Sequence, residues 1–208
     1  ASAGGYERII VIVSPENHDA VRNVLGATVE YVVQTDLLGT GHAVLQARDV
    51  LGDTDTVAVL NGDVPLIQPE TVRTLWEHHV EQGAHLTLVT ATVDNPAAAR
   101  VVRDSTNAIT DIVEEQDANE QIKNIKEINV GSYCFDAAWL WDALGSVRPA
   151  DNGEIYLPAV VSAAVEQGDL VESVDVSDVA EARGINDRTQ LAEAEIWLRD
   201  RIRRRWMM

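Results

Sequence analysis

A chain of 208 residues, 46% hydrophobic and 24% charged, has the composition of a globular protein and is long enough to bury a core as one domain, with or without a small added lobe. Its net charge of −18 argues against a nucleic-acid binder or a protein that lies on anionic lipid. No apolar run approaches the roughly 20 residues of a transmembrane helix, and no signal peptide is visible, so the expected location is the cytoplasm.

The positive charge is unevenly placed. There are two lysines, Lys123 and Lys126, and five of the arginines fall between Arg199 and Arg205. The single cysteine, Cys134, rules out an intrachain disulfide, and its setting in "GSYCFD" predicts a buried structural thiol.

Taken in order, short apolar runs alternate with helix-period segments. "RIIVIVS" (8–14) predicts a strand, and Pro15 opens a helix to about Leu25. "VEYVVQ" is a second strand, followed by a glycine turn and the helix "HAVLQARDVL". "VAVLNGD" is a third strand, expected to end on Asp63, and "PETVRTLWEHHVEQG" a helix closed by Gly83. "HLTLVTATV" is the fourth strand. This alternation predicts an α/β fold, a doubly wound, mostly parallel sheet covered on both faces.

After Pro96 the pattern changes. "RVVRDSTNAITDIVEE" alternates and breaks at "STN", which predicts a hairpin. "EINVGSYCFD" is a longer strand, "DAAWLWDAL" a helix burying Trp139 and Leu140, "IYLPAVVSAAVEQG" another helix and "LVESVDV" a strand. The division expected is a main domain over 1–186, with a β-lobe at about 97–135, and a C-terminal helix over 187–208. In that helix the arginine cluster forms an exposed face, with Trp197 and Trp206 packing.

Four stretches carry chemistry. "QTDLLGTGHAV" places Gly39 and Gly41 around Thr40 at a helix entry, where backbone N–H groups and a hydroxyl face outward; Thr40 as a plain N-cap is the competing explanation. His42, in the first turn, reads as a solvated surface residue. "NGDVPL" puts Asn61, Gly62 and Asp63 at the carboxyl end of a strand, where open α/β sheets bind ligands, and Asp63 suits a hard cation shared with phosphate. An Asx turn is the competing reading. "EINVG" sets Asn129 among apolar neighbours, so it needs partners. "GINDR" puts Asn186 ahead of the last helix, where Asn-Asp also serves as an N-cap.

Together these motifs resemble the uridylyltransferase domain of the enzymes that make UDP-N-acetylglucosamine, usually the N-terminal half of a bifunctional protein. That family, within the sugar nucleotidyltransferases, reads Q-x(4)-GTGHA, GDxPL, a Glu at the end of a hairpin strand, EIN-x-G, GE-x-YL and GVN-x-R. Here the same order appears as Gln34 to Ala43, "GDVPL", Glu114, "EINVG", "GEIYL" and "GINDR". The resemblance covers essentially the whole chain. It implies a Rossmann-like nucleotide-diphospho-sugar transferase fold and uridylyl transfer from UTP to N-acetylglucosamine 1-phosphate for cell-wall synthesis. It also implies a Mg²⁺ cofactor held by Asp63 and Asn186. By the same resemblance Gln34 meets the uracil, with Gly39 and Thr40 against the nucleoside. Asn61, Gly62 and Asp63 line the ribose and phosphate side. Ala99, Glu114, Asn129 and Tyr156 surround the sugar phosphate.

The chain departs from the family in three places. The family's first strand and glycine-rich loop, with a following lysine, have no counterpart. Strands "RIIVIVS" and "VAVLNGD" are therefore expected to flank an empty slot, about 9–10 Å wide on strand spacing. The start at Ala1, and the uncapped end "RIRRRWMM", predict a piece of a longer protein. With no cationic side chain expected near the site, the 208 residues alone are expected to be inactive. Ala97, Ala98 and Ala99 replace the family's Gly-Tyr-Gly, and Pro158 replaces a Thr, both on the sugar side. No hexapeptide repeats are present, so no acetyltransferase activity is assigned; a full-length parent is expected to trimerise through such a domain. The alternatives are a transferase for another sugar 1-phosphate or nucleotide, and a non-catalytic nucleotide-sugar sensor. Nucleic-acid and membrane partners are not expected.

Overall fold

The computed structural model describes residues 6–94, 98–176 and 178–207, so Ala97 lies outside the described residues. Two β-branched runs, β1 (Ile10–Val13) and β2 (Glu30–Val33), pair in parallel, with Ile10 opposite Glu30 and Val13 opposite Val33. Between them lies α1 (His18–Leu25). It starts three residues later than the proline signal predicts, because Pro15 to Asn17 close a turn in which Asn17 and His18 N–H both donate to the Ser14 carbonyl. The expected helix "HAVLQARDVL" is two short ones, α2 (Thr40–Leu45) and α3 (Arg48–Leu51), broken at Gln46 and Ala47.

The remaining strands form one six-stranded sheet. Its members are β3 (Thr56–Leu60), β4 (Leu86–Thr92), β5 (Arg100–Arg103), β6 (Ile109–Val113), β7 (Glu127–Asp136) and β8 (Val171–Asp175). The order is β6-β5-β7-β4-β8, with β3 also on β7. β4 and β8 are parallel, whereas β7 is antiparallel to β3, β4 and β5. The α/β reading therefore holds and needs one refinement. β3, β4 and β8 run in one direction, but β7 opposes them in the middle, so most hydrogen-bonded neighbours are antiparallel. β1 and β2 stay in a separate sheet, and among the described residues β1 and β3 share no ladder.

Both faces of the large sheet are covered. Leu86, Leu88, Tyr133 and Phe135 pack with Leu140 and Leu144 of α6 (Ala137–Ser146), and with Val160 and Val161 of α7 (Ala159–Gln167). On the other face Val89, Ala91, Ile128, Val130 and Cys134 pack with Leu75 of α4 (Pro69–Gln82), which Gly83 ends in the left-handed region. Cys134 is fully buried, and burial pushes its thiol up to about 12. Trp139 is only half-buried, its indole N–H donating to Asp169 at 2.7 Å. Two short elements escape the sequence pattern: α5 (Glu120–Lys123) and a 3-10 turn, Val179–Ala182. The chain closes on α8 (Arg188–Met207). No helix among the described residues is long and apolar enough to cross a membrane.

One feature of β7 positions the site. Along one edge β7 pairs with β4 through most of its length; along the other it changes partner, from β5 at Ile128 to β3 from Ser132 onward. Gly131, with φ +80°, sits at the changeover. A gap opens there between the end of β3 and the start of β5.

Candidate active site

The gap at Gly131 opens into a cavity of about 940 Å³. Eight of the sequence-predicted site residues line it: Thr40, Asn61, Asp63, Ala99, Glu114, Asn129, Tyr156 and Asn186. Gln34 and Gly39 line an adjoining cavity of about 290 Å³, and Thr40 and Tyr156 border both. Gly62 lines neither. Asp63 is not the last residue of the strand, as the apolar run suggested. β3 ends at Leu60, and half-buried Asn61 with exposed Gly62 and Asp63 forms a turn in which Val64 N–H donates to the Asn61 carbonyl.

Three backbone meetings bring the motifs together. The first joins "GTGHA" to "GEIYL". Gly41 N–H donates to the Ile155 carbonyl at 2.8 Å, Ile155 N–H to the Leu38 carbonyl at 2.8 Å, and Leu157 N–H to the Thr40 hydroxyl at 2.9 Å. A Cβ at Gly39, where φ is +94°, would stand 2.5 Å from the Ile155 carbonyl oxygen, so only glycine allows this approach. Thr40 is thus not the N-cap. Gly39 occupies that position, and the Thr40 hydroxyl faces the irregular segment at Leu157.

The second joins "NGDVPL" to "EINVG". Asn61 N–H donates to the Gly131 carbonyl at 3.3 Å, and a Cβ at Gly131 would overlap the Asn61 side-chain amide. Asn129 is fixed by its own neighbours: its Nδ2 donates to the Tyr133 hydroxyl at 2.5 Å, and its Oδ1 accepts from Gly131 N–H at 3.1 Å. The partners that its apolar setting demands are therefore internal. One N–H and one lone pair remain for a ligand.

The third joins "NGDVPL" to "GINDR". Ile185 N–H donates to the Asp63 carbonyl at 2.8 Å. A Cβ built on Gly184 would lie 3.9 Å from Asn186 Nδ2 and 4.0 Å from the Asp63 carbonyl oxygen, so the two residues flank one point. Glu181, absent from the sequence reading, organises this region. It is completely buried, and its carboxylate accepts from Gln68 N–H at 2.8 Å, Gln68 Nε2 at 2.9 Å and Thr71 Oγ1 at 2.6 Å, at the start of α4.

The two departures on the sugar side are accommodated. Ala99 is not among the described residues with positive φ; its carbonyl accepts Asn129 N–H at 2.9 Å, and the residue lines the cavity. Pro158 precedes α7 with φ −56°, close to proline's fixed value.

The expectation of no nearby cation is corrected. Arg183 lines the large cavity, 3.4 Å from Glu193 and stacked 5.2 Å over the Trp197 ring. Lys126 pairs at 2.6 Å with Asp94, which lines the cavity. Arg183 was illegible because its relevance depends on where the 178–187 loop folds back. Trp206 does not pack as expected: it is 85% exposed. Arg201 is not simply solvated either, since it donates to the Leu66 carbonyl at 2.8 Å.

His42 also departs from its surface reading. It lies between two amides, 2.9 Å from Gln34 Nε2 at Nδ1 and 3.2 Å from Gln46 Nε2 at its own Nε2.

The acids on the cavity wall are Asp63, Asp94, Glu114 and Glu193. Burial, and then the nearby Asp117 carboxylate, hold Glu114 above the ordinary glutamate range. Burial likewise raises the Tyr133 phenol. Among the described residues no group of three or more His, Cys, Asp or Glu could hold a metal ion. Asp63 and Asn186 offer only hard oxygen donors, one carboxylate and one amide. That set fits a cation whose remaining ligands are water and phosphate oxygens.

The sequence model of the nucleotidyl transferase family matches residues 1–198. The bifunctional protein GlmU of Heliobacterium modesticaldum is 46% identical over 200 residues, covering 95% of this chain and 44% of its own. GlmU of Exiguobacterium sibiricum is 42% identical over 207 residues, 98% of this chain and 46% of its own. GlmU of Geobacillus thermodenitrificans is 43% identical over 206 residues, 98% and 45% respectively. The chain spans less than half the length of these relatives. On a family match over nearly its entire length, and on this level of identity, the chain belongs to the nucleotidyl transferase family.

Proposed function

We propose that this chain is the uridylyl-transfer unit of an enzyme that joins UTP to N-acetylglucosamine 1-phosphate, giving UDP-N-acetylglucosamine and pyrophosphate for cell-wall precursor synthesis. The observation that carries the reading is the meeting of "NGDVPL", "EINVG" and "GINDR" around one cavity, with "QTDLLGTGHA" lining the pocket beside it.

The sugar-phosphate oxygen attacks the α-phosphorus in line with the departing pyrophosphate, and no covalent enzyme intermediate is needed. The residues then act by alignment and by charge. Gln34 and Gly39 receive the base in the smaller pocket. Thr40 and Tyr156, shared by both cavities, mark the passage from nucleoside to sugar phosphate. Glu114 and Asn129 hold the sugar end. Arg183 is the one Arg or Lys among the described residues lining the large cavity, and in this reading it would meet the anionic groups. Asp63 and Asn186 would hold Mg²⁺, which when bound neutralises phosphate charge in the transition state.

The test is product formation by the natural gene product that contains these residues, with UTP and either N-acetylglucosamine 1-phosphate or glucose 1-phosphate. Formation of UDP-N-acetylglucosamine at the higher kcat/KM is expected. A preference for glucose 1-phosphate defeats the sugar assignment, and turnover of neither defeats the reading.

A further inference from the structure

We propose that His42 is a positioning residue that locks the Gln34 amide in one orientation, so that this site accepts a pyrimidine carrying an N3–H and rejects cytosine. The inference rests on the uridylyl reading above and adds to it the device that selects the base.

The argument is one of hydrogen-bond polarity. Gln34 is 8% exposed, and its Nε2 lies 3.1 Å from the Gly39 carbonyl and 2.9 Å from His42 Nδ1. A carbonyl oxygen only accepts, so the group facing Gly39 must be the amide nitrogen. The second amide hydrogen then points at His42 Nδ1, which must accept it. A neutral imidazole accepts at one nitrogen only, so His42 carries its proton on Nε2.

Gln46 stands at the other ring nitrogen. Its Nε2 sits 3.2 Å from His42 Nε2 and 3.2 Å from the His42 carbonyl. Two amide nitrogens cannot both donate to one neutral ring. The shorter contact, to the buried Gln34, decides; half-buried Gln46 keeps its Nε2 on the His42 carbonyl, which only accepts, and spends no hydrogen on the ring.

With both hydrogens of Gln34 committed, its Oε1 is the atom left to face the pocket formed with Gly39, Thr40, Ala43 and Tyr156. A fixed acceptor there pairs with the N3–H of uracil. Cytosine presents a lone pair at N3, and acceptor would meet acceptor. To suit cytosine the amide would have to flip, turning its oxygen onto the Gly39 carbonyl. Thymine, with the same N3–H, is not excluded by this device.

Two measurements on the 208-residue chain test the inference. A long-range ¹H–¹⁵N spectrum of the side-chain imidazoles is expected to show His42 as the Nε2–H tautomer; an Nδ1–H tautomer overturns the proposal. Titration with uridine and cytidine 5′-monophosphates, read by NMR shifts so that weak affinities are measurable, gives the base preference. In His42→Leu the uridine-to-cytidine affinity ratio is expected to fall about tenfold or more. His42→Asn, whose amide oxygen can replace the Nδ1 acceptor, is expected to stay within about threefold of the parent ratio. Equal weakening of both nucleotides in His42→Leu, with a lower Tm, means that His42 only supports the fold and overturns the proposal. If the natural gene product that contains these residues binds neither nucleotide, the uridylyl reading itself falls, an outcome the tautomer spectrum distinguishes.

Discussion

Ile185 donates its backbone N–H to the carbonyl of Asp63 at 2.8 Å, and that bond ties the segment ahead of Asn186 to the "NGDVPL" turn. The loop is held by more than this contact. Buried Glu181 caps the first turn of α4, and Arg201 of α8 reaches the Leu66 carbonyl at 2.8 Å, with Asp178 3.7 Å from its guanidinium. Two exposed side chains thereby acquire a fixed relation through anchors lying behind them.

Glu181→Ala is expected to destabilise the chain by roughly 3 kcal/mol. It leaves the Gln68 and Thr71 donors unmatched in a buried place, and bonds to a charged acceptor contribute more than neutral ones. Glu181→Gln retains one oxygen and should lose about half as much. Denaturant unfolding at constant m measures both. A loss below about 0.5 kcal/mol for the alanine variant would show that the cap is dispensable.

Asp63 and Asn186 are exposed, so Asp63→Asn and Asn186→Ala should each change folding stability by no more than about 0.5 kcal/mol. Mn²⁺ bound in the presence of nucleotide, counted by electron paramagnetic resonance, should weaken about tenfold or more in either variant, because Asp63→Asn removes the negative charge of the pair and Asn186→Ala removes one of its two oxygen ligands. Undiminished Mn²⁺ affinity in both variants would place the metal elsewhere.

How far the site could be read from sequence follows from which relations are local. The left-handed end of α4 at Gly83, the hairpin between β5 and β6, and the ten-residue β7 were legible, because each depends on neighbours in the chain. The direction of β7 was not: a buried apolar run looks the same in a parallel and an antiparallel setting. The motif residues signalled a site, since polar groups beside apolar strands need partners. Glu181, Arg183 and His42 gave no such signal. Glu181 reads as one more acid in a loop until α4 arrives over it. Arg183 becomes a cavity residue only when its loop folds back, and the role of His42 exists only because Gln34 and Gln46 meet it from both sides.

Gly131→Ala should cost about 1–3 kcal/mol from its left-handed backbone alone, with more from the overlap of the new methyl with Asn61. The two parts separate in a double-mutant cycle with Asn61→Ala, where removing the amide should return the overlap part and leave the backbone part. Stability of the double mutant equal to the sum of the singles would mean that Asn61 and Gly131 do not press on one another.

Glu114 predicts a pH dependence whose sign follows from its cause. Burial, and secondarily the Asp117 carboxylate, raise its folded-state value above that of the unfolded chain, so the folded protein binds this proton more tightly. Protonation therefore stabilises the fold: the contribution is fully present below the ordinary glutamate value and is lost as pH rises through the raised one. Above that window the fold carries a half-buried charge that the unfolded chain holds in water. Glu114→Gln should accordingly be more stable than the parent at pH 7.5, with the advantage shrinking to nothing near pH 3.5. At the same time it should bind N-acetylglucosamine 1-phosphate more weakly, having lost the carboxylate that holds the sugar in the proposed reading. Unfolding free energies of the two proteins at the two pH values, together with a sugar-phosphate titration at neutral pH, decide both points. A stability difference that does not change with pH would mean that Glu114 ionises as it does in the unfolded chain.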